Sequence, residues 1–79
     1  MNNLEKYNLV FVKTFSIKKE KLKNLKYNSI SKWGSVGHMS MIGALEDSFK
    51  ITFEMDDIID FSSYEIGKKI LKKYKIIIK

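Results

Sequence analysis

At 79 residues the chain has room for one domain, 1–79, with a core so small that many sequences of this size lean on disulfides, metal or a partner. It has no cysteine, which excludes a disulfide framework and thiolate metal sites and is compatible with a reducing cytoplasm. The formal charge is +6, carried by 15 lysines and no arginine, so the planar fork that best suits phosphate and guanine recognition is missing.

Leu4, Tyr7, Phe11 and Phe15 recur at spacings of three and four and predict the inner face of a first helix. Lys18 to Ser31 is lysine-rich, with Leu22, Leu25, Tyr27 and Ile30 as its apolar anchors, and reads as a long connection with room for one helical turn around Glu20 to Leu25. Val36, Met39, Ile42, Leu45 and Phe49 form the apolar stripe of a second helix, with Leu45 and Phe49 expected against Phe11, Phe15 and Ile70. Asp56 to Phe61 is long enough for a turn or two. Ser62, three residues before Glu65, fits a capping box that opens a last helix through Ile66, Ile70, Leu71 and Tyr74. Ile76, Ile77 and Ile78 are β-branched and read either as a packed tail or as a frayed end.

These elements predict an all-α four-helix bundle of three main helices and one short one. There is no proline, repeat or low-complexity linker to mark a boundary. The longest uncharged stretch, Trp33 to Leu45, falls short of the roughly 18 to 20 apolar residues of a membrane span, and the first residues lack a basic-then-apolar signal pattern. A soluble, cytoplasmic monomer is expected.

Charge is unevenly distributed. Ser35 to Ile66 holds seven acids and one base, which puts that half near −6 and the remainder near +12. A single basic face for nucleic acid is therefore disfavoured against an ordinary solvated surface. Asp56, Asp57 and Asp60 lack the alternating ligands, mid-loop glycine and terminal glutamate of an EF-hand loop, so no metal site is expected. Ser35 and His38 lie three residues apart, yet a Ser-His hydrolase also needs an orienting acid and an oxyanion hole, and neither is visible. No catalytic residue is assigned.

The segment Trp33-Gly34-Ser35-Val36-Gly37-His38-Met39 places one serine at the first turn of the second helix. With Leu45-Glu46-Asp47-Ser48-Phe49, the acidic run Met55 to Phe61 and Ser62-Ser63-Tyr64-Glu65-Ile66-Gly67, it resembles the acyl and peptidyl carrier protein family over most of the chain. In that family Asp-Ser-Leu or Asp-Ser-Val opens the second helix, and the serine receives 4'-phosphopantetheine from coenzyme A. Here Ser35 and Val36 fill the last two positions, and Gly34 stands where the family has aspartate.

The resemblance implies the same four-helix arrangement and a protein that is not itself an enzyme. Its partners would be a phosphopantetheinyl transferase and acyl-loading and acyl-transfer enzymes. Gly34, Val36, His38, Met39, Glu46, Asp47, Asp56 and Asp57 are the expected partner contacts. The Trp-x-Ser and Gly-His features look more like carriers of specialised lipid or polyketide pathways than of housekeeping fatty-acid synthesis. Two alternatives stand beside this reading: an unmodified interaction module of carrier fold, and a lysine-rich helical protein that binds polyanions.

Overall fold

Asn2 opens the first helix. Its side chain accepts a hydrogen bond from the Glu5 amide at 2.8 Å, and the Glu5 carboxylate accepts one from the Asn2 amide at 3.0 Å. This reciprocal pair satisfies amides that a helix start leaves free. In the computed structural model, which describes residues 1–79, helix α1 spans Asn3–Phe15, a 3-10 turn occupies Lys19–Lys21, and α2 (Ser35–Phe49), α3 (Met55–Asp60) and α4 (Tyr64–Lys73) follow. The chain is an all-α bundle of three main helices and one short one, without a strand. No helix is long and apolar enough to cross a membrane.

The core joins Tyr7, Phe11 and Phe15 of α1 to Met41, Ile42 and Leu45 of α2 and to Ile70 and Leu71 of α4. Trp33, Phe53 and Phe61 enter it from the connections, as do Leu22 and Leu25. The lysine-rich connection is thus pinned by two of its expected anchors, while Tyr27 stays partly exposed. Polar groups inside the core are paired: the Tyr7 hydroxyl donates to the Tyr64 carbonyl at 2.6 Å, and the Tyr64 hydroxyl donates to the buried Asn8 side chain. Burial pushes the Tyr7 hydroxyl far above the usual phenol range, so it remains a donor.

Two expectations need correction. In α2 the buried residues are Met41, Ile42 and Leu45, and Phe49 packs at the margin; Val36 is 83 % exposed and Met39 53 % exposed. A row spaced only by threes falls about 60° behind the helix at each step, so Val36 lies across the helix from Leu45. At α4 the cap is Ser63, whose hydroxyl accepts from the Ile66 amide at 3.0 Å. Ser62 is kept out of that role by backbone pairing. Its carbonyl accepts from the Tyr27 amide and the Tyr64 amide donates to the Leu25 carbonyl, both at 2.9 Å, which holds this stretch extended against the long connection.

Within the isoleucine tail Ile76 packs into the core while Ile77 stays exposed. Ile76 is buried, its amide donates to the Leu71 carbonyl at 3.1 Å, and the Ile77 carbonyl accepts from the Asn3 side chain at 3.2 Å.

Candidate functional site around Ser35

Trp33 fixes the approach to the second helix. Its indole is fully buried, stacked on Phe15 with ring centroids 5.2 Å apart and set edge-on to Phe11 at 5.7 Å. The Asn28 amide closes the preceding loop onto the Trp33 carbonyl at 2.8 Å, with Asn28 itself in the left-handed region at φ 66°. Gly37 lies so near the Lys32 backbone carbonyl that a β-carbon would have no space. Loop and helix are therefore clamped together on either side of the serine.

Gly34 is the N-cap and supplies no side-chain cap bond; Ser35 is the first residue of α2 and is exposed. The first amides of the helix have no intrahelical acceptor, and together with the positive end of the helix dipole they favour an anion at this position. The Ser35 hydroxyl has one side-chain neighbour within hydrogen-bond reach, the Tyr27 hydroxyl at 3.5 Å. A phosphodiester on Ser35 Oγ fits these surroundings. The hydroxyl is accessible, and the residue before it carries no bulk.

An apolar groove of about 460 Å³ begins at Ser35. Met39 of α2 and Met55, Ile58 and Ile59 of α3 form most of its wall, with Tyr27, His38, Phe61 and Ser62 completing it. Met55 and Ile59 are each 70 % exposed. Tyr27 and the α3 residues were not among the sequence-derived site residues, although the spacing of Met55, Ile58 and Ile59 places them on one side of a helical turn.

His38 has a structural position rather than the surface one expected. Trp33 Nε1–H donates to His38 Nδ1 at 3.0 Å, and His38 Nε2 lies 2.8 Å from the Ile58 carbonyl oxygen. An indole N–H can only donate and a carbonyl can only accept, so the ring proton sits on Nε2. Both nitrogens are thus engaged in tying α2 and Trp33 to α3. Neither is directed to Ser35 as a base, and the hydrolase arrangement is absent.

The acidic residues divide similarly. Asp47 and Asp56 are exposed, as the expected partner contacts require, but Glu46 accepts from the Phe53 amide at 2.9 Å and is half-buried. Asp57 is 3 % exposed and faces inward. Its carboxylate accepts from Lys73 Nζ at 2.5 Å and from the Tyr74 hydroxyl at 2.6 Å. Tyr74 Oη in turn accepts from the Glu54 amide at 2.8 Å. Asp57 therefore ties α3 to α4 and is not exposed as the expected partner contact would be. No group of three or more His, Asp or Glu side chains is arranged to hold a metal ion.

The hydrogen bond from Lys73, then that from Tyr74, holds the Asp57 carboxyl below the usual carboxylate range. Its folded value thus lies below the unfolded one of about 3.9. The stabilisation is fully present above that unfolded value and is lost as pH falls through the lower folded one. Urea titrations from pH 7 to pH 3 should show this acid limb in the wild type. Asp57→Asn should be less stable at pH 7 and lose stability less steeply on acidification; an unchanged acid limb would remove Asp57 from this role.

No known protein family, characterised protein or solved structure matches the chain significantly.

Proposed function

We propose that the chain is a free-standing acyl or peptidyl carrier of the acyl-carrier type, modified on Ser35 with 4'-phosphopantetheine by a separate transferase and acting in the cytoplasm in a specialised lipid or polyketide pathway. The observation that carries the reading is the placement of one exposed serine at the first turn of α2, at the mouth of an apolar groove. The arm, when attached, supplies the thiol on which acyl cargo is held as a thioester. Ser35 Oγ would provide the attachment atom, and the free amides of the first α2 turn would favour the phosphate charge. Met39, Met55 and Ile59 offer apolar surface beside it. Exposed Val36, Met39, Asp47 and Asp56 suit a partner enzyme that presents an apolar contact inside a basic rim, where charge mainly steers the encounter and sets register.

The chain supplies no base of its own for Ser35. Removal of the serine proton would therefore belong to the transferase, with the Oγ–P bond forming as the pyrophosphate bond of coenzyme A breaks and adenosine 3',5'-bisphosphate leaves.

With coenzyme A, Mg²⁺ and a permissive phosphopantetheinyl transferase, the wild type should gain one arm and Ser35→Ala none. Persistent modification of Ser35→Ala would overturn the site. Gly34 favours one alternative, an unmodified interaction module, because the motif carboxylate is missing. A β-carbon at Gly34 meets only Asn28 Oδ1, at 3.9 Å, so Gly34→Asp fits sterically. It should add a few tenths of a kcal/mol through capping and about 0.3 to 1 kcal/mol through the helix dipole, and it should speed loading. No loading of either protein by any transferase tried would favour the unmodified module.

A further inference from the structure

We propose that the face built from α4 and the C-terminal tail docks on anionic lipid headgroups. Lys68, Lys69 and Lys72 line one shallow groove of about 240 Å³ with Ile77 and Ile78, and no acidic residue lines it. The two ion pairs of the molecule are Lys68 with Glu65, at 3.8 Å, and Lys73 with Asp57. Lys69 and Lys72 have no carboxylate partner. Ile77 is 46 % exposed, and Ile66, also exposed, precedes Lys69 by three residues on the same side of α4. Unpaired cations and exposed aliphatic side chains therefore share one surface.

The type of polyanion follows from what accompanies the lysines. A nucleic-acid surface gains from guanidinium forks and from exposed rings on which bases stack. The chain has no arginine, and the ring beside this groove, Tyr64, is buried with Lys68 Nζ lying over it at 4.7 Å. A bilayer interface suits the surface better, because lysine stems lie along apolar material with their ammonium groups among the headgroups, while an isoleucine enters the acyl boundary. The groove shares no lining residue with the one at Ser35, and the inference does not rest on the carrier reading.

The test is co-sedimentation of the full chain with vesicles of phosphatidylcholine, alone or containing about a third phosphatidylserine. Each lysine at such a surface contributes about fivefold in partitioning at physiological ionic strength. Binding to the anionic vesicles should exceed that to neutral ones by at least tenfold and weaken as salt is raised. Lys69→Glu with Lys72→Glu removes two attractions and adds two repulsions, so partitioning should fall by roughly several hundredfold. Lys69→Gln with Lys72→Gln repeats the test with less disturbance of the helix, and circular dichroism checks the fold of each variant. Ile77→Ser should weaken vesicle binding several-fold, and Ser35→Ala should bind as wild type. Equal binding to both vesicles, or indifference to the lysine changes in folded protein, would overturn the proposal. It would equally fall if single-stranded RNA bound tighter than the vesicles and Ile77→Ser had no effect.

Discussion

Trp33→Ala should remove most of the chain's stability at 25 °C. Truncating a fully buried tryptophan typically costs about 3 to 5 kcal/mol, and a domain of this size has a total stability of only roughly 5 kcal/mol. The loss would exceed that of an isolated cavity, since the indole packs on Phe11 and Phe15 and also donates to His38. Trp33→Phe separates the contributions. It keeps much of the aromatic packing and leaves His38 Nδ1 without its donor, at a cost of about 1 to 3 kcal/mol. Urea denaturation followed by circular dichroism measures both variants. A cost below about 1 kcal/mol for Trp33→Ala would show that the α1–α2 junction does not depend on this ring.

Gly37→Ala and Gly43→Ala should act in opposite directions although both glycines lie within α2. In an open helical position, replacing glycine by alanine gains about 0.8 to 1 kcal/mol. Gly43 has nothing within 4 Å of an added β-carbon, so Gly43→Ala should raise stability by about that amount. At Gly37 the added carbon runs into the Lys32 carbonyl and comes within 3.2 Å of Phe15 Cε1. The obstructing atom is backbone in a loop held by Trp33, so relief requires the loop and the first turn of α2 to separate. Gly37→Ala should therefore lower stability by about 1 to 3 kcal/mol, the range of overpacked cores. Thermal melts of the two variants side by side decide the matter, and a stabilising Gly37→Ala would mean that the loop is not clamped to the helix.

The first helix was legible because its face is written in aromatic residues. Tyr7, Phe11 and Phe15 repeat every four positions and all are buried. The second helix was harder because apolar residues lie on more than one side of it: Val36 is exposed and Met39 lines the groove, while Met41 is internal. Ser35 was readable as a helix start, since Trp33, two glycines and the apolar run beyond it bracket the position. The groove was not, because it requires α3 to lie beside the start of α2, and no local pattern specifies that approach. His38 and Asp57 show the same limit. Each is polar in sequence and looks like a surface residue, and each becomes structural through partners in other elements, His38 through Trp33 and the Ile58 carbonyl, Asp57 through Lys73 and Tyr74. Ser62 fitted the cap by its spacing to Glu65, but the pairing with residues 25–27 holds it extended and the cap falls to Ser63.

The central claim is that Ser35 is an attachment point. The most direct measurement is the intact mass of the protein purified from its native host, followed by peptide mapping. The account predicts a species heavier than the unmodified chain by one phosphopantetheinyl group, with the increment confined to the peptide containing Ser35. An unmodified mass alone, in protein that also stays unmodified with coenzyme A and active transferase, would contradict it.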